Sequence, residues 1–262
     1  MCVDFIHTAI QTWNRIKHGS LTGINLLEES ITDFNLLDLQ IRHPQEIITR
    51  KFSKRKEAKE GADWEWWLGS KGSWLGLRVQ AKILDSQKMR YPHLNRSTGY
   101  GRQIDLLINN ALSHSYPKIP IYVFYNYWNI NRFNPPWLCK TFPKIIEMLG
   151  CGISEAITVR SILNQGSDKL QDIANVMYPW SCLVCCKGFS SKNEILPLRA
   201  FYFIVGAFKS HTEKTEFPYE RDKFVLEKAP SYVYKILERQ KLTREELKEI
   251  KVNRVVIIYK RM

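Results

Sequence analysis

The chain has 262 residues, 44% of them hydrophobic and 12% aromatic, which excludes a disordered tail and leaves room for one large domain or a core with a substantial insertion. Lys and Arg number 39 against 26 Asp and Glu, a formal charge of +13, so the favoured partners are polyanions, nucleic acid first and an anionic membrane surface second. The most apolar run, AFYFIVGAF at 200–208, falls short of the roughly 18 residues that cross a bilayer, so no membrane span is expected, and nucleic acid rather than a membrane is the partner carried forward.

In chain order, residues 3–17 and 22–41 read as helices. The second carries Ile24, Leu27, Ile31, Phe34, Leu37 and Ile41 near helical spacing, an expected buried face. Residues 45–53 read as helical or mixed, and the basic run KFSKRKEAKEG follows. Residues 62–68 and 73–84 read as strands joined by a GSKGS turn. An amphipathic helix at 101–114 leads to IPIYVFYN, 119–126, a strand apolar enough to be buried on both faces. Beyond 127 lies a loop rich in Asn, Pro and aromatics. Helix is expected at 141–149, 155–176 and within 231–250, strand at 182–187 and 199–208, and a last strand in VNRVVIIYK. The expected fold class is α/β, with a core over 1–130 and an α+β extension or accessory lobe over 131–262, unless the two form one domain.

The chemistry concentrates in GADWEWWLGSKGSWLGLRVQAKIL, 61–84. Alternate strand residues share a face, so Asp63 and Glu65 point one way while Trp64 and Trp66 point the other; on the second strand Gln80 and Lys82 share a face. Pairing the two strands gathers Asp63, Glu65, Gln80 and Lys82 into one polar cluster within an apolar sheet. Paired carboxylates suit Mg²⁺, and a lysine beside that ion can deprotonate or orient a water and offset phosphate charge. The parts match metal-assisted phosphodiester hydrolysis. A salt bridge at a sheet edge is the structural alternative for the same residues.

This arrangement, Gly-x-Asp on one strand and apolar-Gln-Ala-Lys on the next, resembles the PD-(D/E)xK, or restriction-endonuclease-like, nucleases, and most of all the Mrr-like branch, in which Gln replaces the second acid. The resemblance covers roughly residues 22–126 and implies a core of helix, three-stranded meander, helix and strand. It implies Asp63 as principal metal ligand, Gln80 as the second-strand ligand position and Lys82 as the catalytic lysine. A glutamate on the preceding helix completes such sites, and in LLEESITDFNLL Glu29 is the first choice with Glu28 its competitor. Ala62 replaces the family's proline, and Glu65 is additional, able to supply the carboxylate that Gln80 lacks. The cofactor implied is Mg²⁺ or Mn²⁺, and the substrate nucleic acid, with double-stranded DNA first; restriction or anti-phage defence is the implied setting. A double-strand cut would make a homodimer the expected assembly. A non-catalytic nucleic-acid-binding or scaffold protein, or an RNA-cleaving toxin, is the competing reading.

Lys54, Arg55 and Lys56 in the basic run, with Arg78 and Arg102 around the hairpin, are the expected phosphate contacts; a solvated helix face is the alternative for the run. Trp64, Trp66, Trp67 and Trp74 could stack on bases, although core packing is the commoner role of such a cluster. Tyr91 and His93 follow the lysine strand closely enough to line a cleft. The six cysteines, with no Lys or Arg before the short apolar patch of MCVDFIHTAI, fit a cytoplasmic, reducing setting rather than a disulfide framework. Cys182-x-x-Cys185-Cys186 has metal-like spacing that Cys139 and Cys151 could complete for zinc; buried thiols are the alternative.

Overall fold

Two helices open the chain in the computed structural model, which describes residues 1–52, 60–186, 189, 194–211 and 218–260: α1 (Cys2–Thr22) and α2 (Glu28–Arg42). The apolar stripe expected on α2 does not face inward. Ile31 is buried, but Phe34, Leu37 and Ile41 are exposed, as are Ile24 and Leu27 just before the helix, and the inner face is Ile31, Thr32, Asn35, Leu36 and Leu39. Polar pairs decide the rotation. Thr12 on α1 donates to Asn35 Oδ1 at 2.9 Å, and the Thr32 and Tyr125 hydroxyls are 2.9 Å apart, so the inward Thr and Asn are satisfied rather than stranded.

Residues 45–53 contain a strand, β1 (Ile47–Lys51), where helix or mixed structure is expected. The hairpin follows as read: β2 (Trp64–Ser70) and β3 (Ser73–Ile83) pair antiparallel with Ser70 opposite Ser73 across Lys71–Gly72. Gly72 has φ 69°, a left-handed conformation that glycine adopts without the steric cost of a Cβ. The short ribbon β4 (Ser97–Thr98) with β5 (Gly101–Arg102) precedes α3 (Gln103–Leu112), which crosses over to β6 (Ile119–Tyr125), parallel to β3. The second half supplies β7 (Cys151–Glu155), α4 (Ala156–Asn164), α5 (Leu170–Ile173), β8 (Tyr178–Pro179), α6 (Cys182–Cys185), α7 (Leu196–Phe208), α8 (Arg221–Phe224), β9 (Val225–Leu226), α9 (Ser231–Leu237), α10 (Arg244–Glu249) and β10 (Arg254–Tyr259).

The fold is mixed α/β around one mixed sheet, ordered β1-β10-β2-β3-β6-β7-β8, with β9 pairing β3. Strands from beyond residue 130 join those from before it, so the second half extends the sheet. β10 lies parallel to β2 and separates it from β1, so β1, β2 and β3 do not form the consecutive three-stranded meander expected. The run RVVIIY is buried over nearly its whole length and suits a central parallel strand rather than an edge.

Helices cover both faces of the sheet. Trp64, Trp66, Leu77, Val79, Ile121 and Val123 pack with α1, α2 and α7 on one side; Trp67, Tyr122, Phe124, Val255 and Ile257 pack with α3, α4 and α9 on the other. Trp64, Trp66, Trp67 and Trp74 are thus core residues and present no stacking surface. Where strands are expected at 182–187 and 199–208, Cys182–Cys185 and Leu196–Phe208 are the helices α6 and α7, and Lys187 lies outside the described residues. Both runs are apolar without a period, and Pro197 in the first turn with burial around most of α7 settles it as helix. Cys2 and Cys185 form a disulfide joining α1 to α6, which departs from the expectation of reduced cysteines. Cys139, Cys151, Cys182 and Cys186 are buried and lie outside that disulfide. Cys151 is taken up by Thr12 and Asn35, and among the described residues no group of three or more His, Cys, Asp or Glu is arranged as a metal centre, so the zinc reading gains no support.

Candidate functional site

Asp63 extends the hairpin by one rung, its N–H donating to the Val79 carbonyl at 2.8 Å. That rung brings the Asp63 carboxylate onto β3, where Oδ2 accepts from the Ala81 N–H at 2.8 Å and from Gln80 Nε2 at 2.6 Å. Gln80 Oε1 accepts from Gln103 Nε2 at 3.0 Å, and Gln103 Oε1 accepts from Lys82 Nζ at 2.8 Å. The four side chains therefore form one directed chain from ammonium to carboxylate. Gln103 opens α3, so the crossover helix locks the row that the hairpin creates.

Lys82 is 4% exposed. Burial lowers its pKa from the ordinary lysine value; the Glu28 and Asp63 carboxylates oppose that shift without cancelling it, and Arg96 adds to it. Glu28, the first residue of α2, accepts from the Ile83 N–H at 3.0 Å and so ties the start of that helix to the end of β3. Its charge also sits at the helix N-terminus, where the backbone dipole favours an anion. A cleft of about 380 Å³ opens here, lined by Glu28, Glu29, Asp63, His93 and Arg254 among the apolar Leu26, Leu27 and Ile83.

The remaining sequence candidates divide clearly. Glu29, the first choice on the helix, lines the cleft but lies 3.4 Å from Arg254 and 3.7 Å from Lys51; Glu28 is the helix carboxylate whose charge acts on the lysine. Glu65 shares the face of Asp63 as expected, yet it belongs to a separate interior cluster. Its carboxylate lies 3.5 Å from both Arg78 and Lys118 and accepts from the Tyr232 hydroxyl at 2.7 Å and from Trp67 Nε1 at 3.2 Å. Arg78 is 1% exposed and bound to Glu60 at 2.7 Å, so a phosphate contact from it is ruled out in this conformation. Gln80 turns its oxygen to Gln103 rather than to the cleft, which makes it a positioning residue for Asp63. Arg102 is partly exposed, 2.9 Å from Asn164 Oδ1 and 3.7 Å from Asp105. Lys54, Arg55 and Lys56 lie outside the described residues. Tyr91 is buried and bonds Asn126 at 2.6 Å, while His93 does line the cleft.

Two contributors escaped sequence reasoning, Gln103 and Arg254. Arg254 is 3% exposed and is the only cation within the apolar RVVIIY strand; it donates to Asp33 Oδ1 at 2.7 Å. A lone charge in a central strand was the available signal, and the missing knowledge was that β10 pairs with β2.

Gly61 sets the approach of Asp63. Its φ is 69°, and a Cβ there would sit 2.5 Å from the Leu107 nitrogen and 2.6 Å from the Gln103 carbonyl oxygen, both backbone atoms of α3. Gly61→Ala is expected to cost more than about 2 kcal/mol and to push α3 from the sheet, which urea unfolding would measure. An unchanged midpoint would show that the contact yields freely.

The donors facing the cleft, Asp63 and Glu28, are hard carboxylate oxygens, the set that Mg²⁺ takes in ones and twos while keeping waters and substrate phosphates. The donor chemistry therefore fits the ion. A family model described as a family of unknown function, DUF6615, matches residues 1–262. A search of curated proteins returns no match.

Proposed function

The chain belongs to the DUF6615 family of unknown function, and from the site geometry we propose that it is a divalent-metal-dependent nuclease of the PD-(D/E)xK type, hydrolysing phosphodiester bonds with DNA as the first substrate. One observation carries this reading: an interior lysine, Lys82, lies within electrostatic reach of Asp63 and Glu28, two carboxylates that line an open cleft, and a complete hydrogen-bond chain ties it to Asp63. A structural ion pair has no need of a cleft or of an oriented ammonium. The order hairpin, crossover helix, parallel strand also supports the reading, while the intrusion of β10 next to β2 departs from the family's arrangement.

Asp63 and Glu28 are the residues that would hold the ion, which when bound supplies positive charge to a phosphate oxygen and acidifies water. Gln80 and the Ala81 N–H fix the Asp63 carboxylate, so its orientation is set before substrate arrives. Lys82, its proton affinity lowered by burial, accepts a proton from the attacking water at Nζ, and Gln103 holds that nitrogen in place. Arg254, through Glu29 and Asp33, fixes the outer wall of the cleft.

The test is incubation of supercoiled plasmid, and of single- and double-stranded DNA and RNA oligonucleotides, with Mg²⁺ or Mn²⁺. Cleavage that stops with chelator and is lost in Asp63→Ala is the expected result. Failure of the folded protein to cut any of these with either metal would overturn the proposal and leave a nucleic-acid-binding protein.

A further inference from the structure

The segment that leaves β3 joins the catalytic cleft to a second recess of about 630 Å³, lined by Lys88, Met89, Arg90, Arg132, Phe133, Gly166, Asp168, Lys169 and Gln171. Four of these are cations and one is a carboxylate. Asp168 receives Arg90 through Nε at 3.1 Å and Nη2 at 2.7 Å, so it fixes the wall rather than neutralising the recess. The frame is rigid. Met89 holds a left-handed φ of 54°, clamped by the Leu170 N–H on the Met89 carbonyl and the Tyr91 N–H on the Asp168 carbonyl, each at 2.9 Å. Phe133 is half-buried, its ring 6.1 Å from Trp128 and its carbonyl bound by Trp128 Nε1 at 2.8 Å. A fixed aromatic ring among lysines and arginines is what an unstacked base and its phosphates require.

The recess is tied to the cleft by chain length. From Arg90 to Arg96 is six residues, at most about 20 Å of extended chain. His93 in that stretch lines the Asp63 cleft, and Arg96 lies close enough to Lys82 to act on its charge.

We propose that this recess is a nucleotide subsite that takes backbone phosphate on Lys88, Arg132 and Lys169 and one unpaired base against Phe133, so that the nucleic acid reaching the Asp63 cleft carries a single-stranded segment. The proposal rests on the nuclease reading for its placement and narrows the substrate to one with unpaired nucleotides beside the cut.

Fluorescence anisotropy in chelator, with labelled single-stranded and duplex DNA of about 20 nucleotides across about 50–200 mM salt, tests it. The wild type is expected to bind the single strand more tightly. The combined K88A, R132A and K169A variant is expected to lose about tenfold or more in affinity and to flatten the salt slope by about two to three. Phe133→Leu is expected to weaken the single strand alone, at an unchanged salt slope; circular dichroism confirms that the variants fold. Variants that bind both DNAs as the wild type does would overturn the subsite, while metal-dependent plasmid cleavage by the wild type would leave the nuclease reading standing. Conversely, lost single-strand binding in the variants with no cleavage by the wild type would uphold the subsite and remove the nuclease.

Discussion

Lys82→Met is expected to lower metal-dependent cleavage by about 10²–10⁴-fold while the melting temperature stays within a few degrees of wild type. The two halves of that statement have different physical origins. Holding an amine at 4% exposure is unfavourable, since burial lowers its proton affinity and the Glu28 and Asp63 charges only partly compensate. Methionine fills nearly the same volume without that penalty, but it leaves Gln103 Oε1 without its Lys82 donor, at a cost of about 1–3 kcal/mol. These effects oppose each other and nearly cancel. Catalysis has no such compensation, because among the described residues Lys82 is the amine that this hydrogen-bond chain ties to Asp63. A structural salt bridge predicts the reverse pattern, with stability lost and cleavage untouched. Quantified plasmid cleavage beside a thermal melt decides between them. The pH dependence follows from the same shift. With Lys82 as proton acceptor, the wild-type rate climbs as pH approaches its depressed pKa, because the neutral fraction grows, and it levels off above that value.

The hairpin, α3 and β6 were legible because each declares its period: alternation around a Lys-Gly turn, a helical stripe at Ile104, Leu107, Ile108 and Ala111, and a continuous β-rich run. Asp63, Gln80 and Lys82 were legible for the same reason, since strand parity and hairpin register fix which residues meet. What escaped the sequence depends on distant partners. Residues 182–185 and 199–208 are apolar runs with no period, and their helical state comes from burial within the core. The choice of Glu28 over Glu29 turns on the rotation of α2, and that rotation is set by Asn35 and Thr32 meeting Thr12 and Tyr125 rather than by the helix's own apolar stripe. Gln103 could be placed on a helix but not against Lys82 until the crossover was known. Glu65 was assigned to the correct face and the wrong cluster, because parity gives the face of a strand and says nothing of depth along it.

That distinction makes Glu65 the sharpest contrast to Lys82. Glu65→Ala is expected to cost about 3–5 kcal/mol, because it takes the carboxylate from Lys118 at 0% exposure, leaves Arg78 at 1% exposure with Glu60 alone, and removes the acceptor of the Tyr232 hydroxyl. Glu65→Gln keeps the shape and an acceptor oxygen for Tyr232 and loses the charge, so it falls between alanine and wild type. Burial raises the Glu65 pKa, but Lys118, Arg78 and the Tyr232 hydroxyl outweigh it and hold it below 4.5. The stability this gives is fully present above the unfolded carboxyl's value and is lost as pH falls through the lower folded value. His114 beside the cluster adds an earlier loss: burial, then Lys118, depress its pKa from 6.5 to about 4, so between those values the unfolded chain takes up a proton that the folded chain refuses. Acid unfolding is therefore expected to begin near pH 6 and steepen below 4.5 in the wild type, with the lower limb shallower in Glu65→Gln. Under conditions where Glu65→Gln stays folded it is expected to cut at the wild-type rate. A folded Glu65→Gln with normal stability and no cleavage would return Glu65 to the catalytic site and remove it from the scaffold.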